Sequence, residues 1–263
     1  MSGGLVLVDK PEGPSSFTVV RALRGRHGLK AGHAGTLDPG ASGLLLVLLG
    51  PATRLARYLV GLDKRYVTTI RLGERTATGD AQGELVEETQ LPPDLDAELA
   101  RYTGDVELRV PAASAVKIAG ERAYRLHRRG VAVEMPMRSS RIDLLRVVRY
   151  TAPDLELELR VSSGTYVRAI ADALGGHCRA LRRTAVGPFA VEDADEAAVL
   201  SPVEALPHLA KIEITPVEAQ QVRRGSSIAC FGESPSRLVC GGRLVAVARL
   251  ENGTAKPETV LPS

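Results

Sequence analysis

Tryptophan is absent from the 263 residues, and phenylalanine occurs only three times. A core without large rings must be built from Leu, Val, Ala and Ile, and a hydrophobic content of 44% is enough for one. Cysteine is as scarce: Cys178, Cys230 and Cys240 are too few and too scattered for a disulfide framework. There is no CxxC pair and no Cys/His spacing of the zinc type, so neither a metal nor another cofactor is expected. The odd cysteine count fits a reducing cytosol, and a cytoplasmic protein is expected. No apolar run reaches the length of a membrane span; Leu44 to Leu49 is a buried strand or helix at most. Met1 to Lys10 is too short and too soon charged for a signal peptide. The dinucleotide glycine motif and the phosphate-loop Gly-Lys-Ser/Thr are both missing, which argues against nucleotide-cofactor chemistry.

Charge is also scarce in net terms, at +3 with a pI near 8.8. Its distribution says more. Arg21, Arg24, Arg26 and Lys30 cluster, as do the cations from Arg122 to Arg129 and from Arg179 to Arg183. Clustered cations on a nearly neutral chain suit a polyanion, although a solvated helix face would look the same.

One stretch stands out: Gly32-His33-Ala34-Gly35-Thr36-Leu37-Asp38-Pro39-Gly40-Ala41-Ser42-Gly43-Leu44-Leu45. It carries one carboxylate in a loop with glycines that allow unusual backbone angles and close approach of a ligand. Pro39 biases Asp38 toward an extended conformation. The residues alone leave two readings open, an acid presented for chemistry or an aspartate that caps a turn.

The stretch resembles the catalytic-aspartate motif of tRNA pseudouridine synthases of the TruB family. Five further matches follow in the order of that family: Asp9-Lys10-Pro11-x-Gly13, Lys64-Arg65-Tyr66, Ser114-Ala115-x-Lys117, Gly164-Thr165-Tyr166-x-Arg168 and Leu181-Arg182-Arg183. Together they reach from the start of the chain to about Phe189, and the end of the chain follows more loosely. The resemblance implies an α+β pseudouridine synthase fold. Its central sheet would be mixed but mostly antiparallel and flanked by helices, with a small C-terminal β module of PUA type. The implied domains are residues 1–200 for catalysis, with a thumb-like RNA-binding insertion at about 114–141, and residues 212–263 for RNA binding.

The resemblance also implies the chemistry. Uridine in tRNA, at position 55 of the T loop, would be flipped out and isomerised to pseudouridine. Asp38 would be the nucleophile or the base that starts elimination, Tyr66 would stack on the uracil, and Arg168 would pair with Asp38. Tyr166 and Leu181 would line the pocket, His33 would fill the space left in the RNA, and Lys10 and Lys117 would contact substrate. No metal, cofactor or membrane is implied. The expected partner is the tRNA T-arm, met by a monomer without guide RNA. Competing readings are a non-catalytic tRNA-folding factor and a guide-RNA-dependent synthase subunit. The sequence departs from the family at Leu108-Arg109 and Ala112-Ala113, at the edge of the thumb.

Local patterns complete the reading. Ser15 and Ser16 are both helix N-cap candidates ahead of an apolar face at Val19, Val20 and Leu23. Leu155 to Val161 alternates as a strand with one buried face, then turns into a helix from Val167 to Leu174. Cys178 to Val186 reads as a strand, and His177 as a helix-end residue. Asp193 to Ala210 reads as a helical linker with a proline break. Ser114 to Arg141, dense in charge, is expected to have little to bury. Asn252-Gly253 marks a hairpin.

Overall fold

The protein is described by a computed structural model covering residues 3–262. Two compact units divide it. Residues 39–42 and 61–185 form one, and the residues to either side form the other.

The flanking unit begins with β1 (Leu5–Lys10), α1 (Ser16–His27), β2 (Ala31–His33) and β3 (Ala41–Leu49). β3 runs antiparallel to β1, with Leu5 opposite Leu48 and Lys10 opposite Gly43. Leu44 to Leu48 are fully buried, as a continuous apolar strand covered on both faces must be. α1 is capped by Ser15, whose hydroxyl accepts the Thr18 N–H, and it buries Ser16, Val20 and Leu23 at helical spacing. A 3-10 turn over Gly50–Leu55 leads into α2 (Ala56–Val60).

The inner unit contains β4 (Lys64–Leu72), β5 (Glu74–Thr76), β6 (Leu85–Glu88), α3 (Leu95–Ala100) and β7 (Gly104–Arg109). β8 (Lys117–Ile118), β9 (Glu121–Arg122) and α4 (Ala123–Arg128) form the basic insertion. β10 (Met137–Thr151), β11 (Asp154–Val161), α5 (Val167–Ala173) and β12 (Gly176–Val186) follow. Within this unit the strands lie in the order β12-β4-β11-β10-β7. Lys64, Tyr66, Thr68, Ile70 and Leu72 of β4 face inward, the first four opposite Val161, Leu159, Leu157 and Leu155 of β11. Against this face α5 packs Val167, Ala169, Ile170 and Ala171. The other face is ionic: Arg146 stands directly across from Glu158, Arg149 from Glu156 and Arg71 from Asp154, and each pair is bonded. Exposed pairs of this kind add about 0–1 kcal/mol each.

The chain returns to the flanking unit with β13 (Phe189–Ala190), a 3-10 turn over Val191–Asp193 and β14 (Asp195–Leu200). The helix expected over Asp193 to Ala210 does not form. β14 instead pairs antiparallel with β1, Leu5 opposite Leu200, so the vacant edge of a sheet overrides helix propensity. β15 (Ala210–Glu213), α6 (Pro216–Arg223), β16 (Ile228–Ala229), β17 (Ser236–Cys240), β18 (Arg243–Glu251) and β19 (Thr254–Val260) build a second sheet, ordered β15-β17-β18-β19-β16. β15 and β17 are parallel and the other neighbours antiparallel. α6 covers this sheet with Ala219 and Val222 and is held by a capping box between Thr215 and Glu218. The Asn252-Gly253 hairpin forms as expected, both residues at positive φ. This sheet is tied to the start of its own unit: the Tyr58 hydroxyl lies 2.9 Å from Thr259 Oγ1, and Arg54 donates to the Val260 carbonyl at 2.9 Å. The α+β class, with one large mostly antiparallel sheet region and a separate C-terminal sheet, is as the sequence leads one to expect.

Gly176 gives this packing a direct test. A Cβ built there would lie 2.4 Å from the Arg71 carbonyl oxygen, a backbone atom that cannot step aside. Gly176→Ala is expected to lower the unfolding free energy by about 2–3 kcal/mol. Urea unfolding measures it; an unchanged midpoint would show that β12 does not sit against β4 as described.

Candidate active site

In the flanking unit the Asp38 loop is built from its neighbours. β2 pairs with β3, placing His33 opposite Val47, and the Ala34 N–H donates to the Leu46 carbonyl at 2.9 Å. Leu37 is 4% exposed. Its N–H donates to Ser16 Oγ at 2.8 Å, and the same hydroxyl donates to the Leu37 carbonyl at 2.7 Å. Ser16 is therefore not a cap; Ser15 alone has that role. Asp38 follows at once, half-buried. Lys10 is wholly buried, and its ammonium donates to the carbonyls of Pro11 at 2.8 Å and Pro14 at 2.9 Å, bracing the turn after β1.

In the inner unit, Tyr66, Tyr166 and Leu181 all take part in one apolar cluster. Tyr66 is 8% exposed and belongs to the main apolar cluster, against which Tyr166 and Leu181 pack half-buried. Strand alternation aims Tyr66 inward from β4, and Tyr166 stands at the N-cap of α5. Tyr166 also packs on a second cluster of Val110, Ala123 and Met135. That cluster corrects the expectation for the basic insertion, which buries a small core of its own. Lys117 sits on the insertion, exposed, in β8. Arg125 and Arg128 lie over the Tyr124 ring, 5.9 and 5.6 Å from its centre.

Arg168 is 4% exposed. Its guanidinium donates to the Thr78 carbonyl at 2.5 Å and the Ala113 carbonyl at 3.0 Å, and lies 3.9 Å from Asp80 Oδ2. A helix-surface position is thereby ruled out. Asp80 is itself held, its Oδ1 accepting from the Thr78 hydroxyl at 2.6 Å and the Gln82 N–H at 3.1 Å. Gly79, at φ 73°, presses on Arg168: a Cβ there would come within 3.4 Å of the arginine's Cβ. The Thr78-Gly79-Asp80 loop is a part of the site that sequence reasoning missed. Its polar, glycine-rich composition signalled only a turn. His177 was misjudged too: it is buried in β12, with Nδ1 3.0 Å from the Glu74 carbonyl.

A second buried cation stands near Tyr66. Lys64 is 6% exposed and donates to the Leu62 carbonyl at 2.6 Å and Ser163 Oγ at 3.1 Å. Burial, and then the like charge of Arg183, push its pKa down to about 8, against a smaller opposing pull from Asp63. Among the described residues no group of three or more His, Cys, Asp or Glu side chains could hold a metal ion.

Comparisons with known proteins concern the chain as a whole. Residues 21–167 match the family model described as TruB family pseudouridylate synthase (N terminal domain). A protein of Thermobifida fusca (strain YX) named tRNA pseudouridine synthase B is 40% identical, over 99% of this chain and 99% of that one. One of the same name from Mycobacterium sp. (strain KMS) is 36% identical, over 99% and 96%. A chain in a solved H/ACA ribonucleoprotein bound to a substrate RNA containing 2′-deoxyuridine superposes with a TM-score of 0.73 at 22% identity. It covers 99% of this chain and 85% of that one. At that identity the likeness is one of fold.

Lys64 makes the site sensitive to alkali in a defined direction. The folded ammonium releases its proton near pH 8, whereas the unfolded one holds it to about 10.5. Between those values the unfolded chain binds more protons, so stability gains from this residue as pH rises, and its burial cost is fully present below pH 8. Wild type is thus expected to gain unfolding free energy relative to Lys64→Met from pH 7 to pH 9.5. Chemical denaturation at several pH values measures it; parallel profiles would reject the assignment.

Proposed function

The chain belongs to the TruB family of pseudouridylate synthases, and on that premise we propose that it isomerises uridine to pseudouridine in tRNA. Two relatives sharing its full length carry the name tRNA pseudouridine synthase B, and this alignment is the observation that carries the reading. The target we propose is the T-loop uridine at position 55, taken from the T-arm without a guide RNA by a monomeric, cytoplasmic enzyme. Among the described residues no helix is long and apolar enough to cross a membrane. Residues 1–200 act as the catalytic domain, with residues 114–141 as a thumb on the RNA, and residues 212–263 act as a PUA-like RNA-binding module.

The reaction breaks the N1–C1′ bond, turns the freed uracil, joins C5 to C1′, releases the C5 proton and leaves N1 carrying a proton in exchange. Nothing is oxidised and no atom is added, so a carboxylate and a closed pocket suffice if the base cannot diffuse away. Asp38 supplies the carboxylate, as nucleophile at C1′ or as base toward the glycal. Tyr66 stacks on the uracil; stacking of this kind returns about 1–3 kcal/mol of the cost of flipping. Tyr166 and Leu181 line the same pocket wall. Arg168 works with Asp38 as one functional unit, His33 occupies the gap left in the RNA, and Lys10 and Lys117 support the substrate from the turn and the thumb.

Release of tritium from a 5-tritiated uridine in a bare T-arm RNA tests the reading. The purified protein should release it with no partner or guide present. Asp38→Asn should fold and bind tRNA but lose turnover by about a thousandfold or more. Substantial release by that variant, correctly folded, would sink the assignment. Arg168→Lys should also stay impaired at saturating RNA, because an ammonium lacks the fork that reaches two carbonyls at once. A saturating rate equal to wild type would remove Arg168 from the reaction.

A further inference from the structure

We infer that Ser16 is a positioning residue for Asp38. This rests on the reading of Asp38 as the reacting acid. Asp38 lies in a loop with glycines at 35, 40 and 43, two of them at φ near 100°. Such backbone is soft, yet a reacting carboxylate must be held within a fraction of an ångström. The residue immediately before it is held by one side chain. Ser16 Oγ accepts the Leu37 N–H at 2.8 Å and donates to the Leu37 carbonyl at 2.7 Å. The carbonyl of Leu37 belongs to the peptide unit that carries the Asp38 nitrogen. Fixing both polar groups of Leu37 therefore fixes the direction in which the chain enters Asp38.

The chemistry selects serine. A hydroxyl donates and accepts at the same time through one atom, and serine is the smallest side chain that carries one. Ser16 is 2% exposed and Leu37 4%, so water has no ready access to replace either bond. The hydroxyl stands on the first residue of α1, 21 positions from Leu37, and the helix gives it a rigid base. Its neighbour Ser15 caps that helix through Thr18 and so serves as a matched control. In the capping role a serine is expected to matter only for stability.

The experiment compares Ser16→Ala, Ser16→Cys and Ser15→Ala with wild type and Asp38→Asn. Single-turnover pseudouridine formation at saturating T-arm RNA, RNA affinity and thermal unfolding are measured for each. Ser16→Ala is expected to lose about tenfold to a hundredfold in the saturating rate, with affinity within about threefold of wild type. Ser15→Ala is expected to unfold about 2–4 °C lower and to keep the wild-type saturating rate. If Ser16→Ala does not fold, Ser16→Cys decides. It keeps the shape of the side chain while weakening both bonds, and it should lose saturating rate as well. A wild-type rate in a folded Ser16 variant overturns the inference, and so does an equal loss of rate in Ser15→Ala, which would reduce Ser16 to general helix stability. Wild-type protein without product, or an active Asp38→Asn, would instead bring down the reading of Asp38 itself.

Discussion

The irregular segments of the inner unit depend on how one of its buried charges, that of Arg168, is housed. A guanidinium that is 4% exposed cannot be left to itself; burial of an ion without matched acceptors costs several kcal/mol. Its partners include the Thr78 carbonyl, the Ala113 carbonyl and the Asp80 carboxylate. These belong to the turn after β5 and to the base of the basic insertion. One side chain on a seven-residue helix thus ties two irregular segments to the sheet that α5 packs on. For the polar, glycine-rich Thr78 to Asp80 turn, which has little apolar bulk, the charge does what a core does elsewhere.

The flanking unit solves a related problem with neutral groups. Its glycine-rich loop has little side-chain bulk to hold it, and it is held through backbone atoms instead. Ladder bonds take it as far as Ala34, and a buried hydroxyl takes it to Leu37. Lys10 is an instance of the same economy, since its ammonium closes a turn through prolyl carbonyls. Residue types that suggest ligand contact from sequence are here engaged with the chain's own peptide groups. Neither Lys10 nor Ser16 could be sorted from composition, because a lysine on phosphate and a lysine on a carbonyl look alike in a string of letters.

Most of the inner unit was legible in the sequence. Strict alternation over Leu155 to Val161 yields β11, and the turn at Gly164 followed by an apolar helix yields α5, so the placing of Tyr166 and Arg168 at a strand-to-helix junction follows directly. The hairpin at Asn252-Gly253 follows from its own turn chemistry. What was not legible shares one cause: each case was settled by a distant partner. Asp195 to Leu200 became a strand because β1 offered an edge. His177 joined β12 because the Glu74 carbonyl receives its ring. The Thr78 to Asp80 loop gained its place from Arg168, some 90 positions on. In the insertion, Ala123 and Met135 are buried together with Val110, which lies before residue 114, so here too the partner comes from outside the segment. The family motifs reached the residues of the site, but the second layer that holds them carries no comparable pattern.

The ladder of ion pairs across β4, β11 and β10 has a consequence at long range. Arg71, Arg146 and Arg149 each stand opposite a carboxylate, and Arg160 lies near Asp63 and Asp143. Opposite charges a few ångströms apart cancel within a screening length, so this broad face is electrically quiet despite its many arginines. The insertion is different: Arg125 and Arg128 crowd one tyrosine ring, and a quadrupole does not neutralise them. Over residues 114–141 cations outnumber carboxylates, so the insertion is more positive than the sheet face. A formal charge of only +3 thus hides an uneven distribution along the chain.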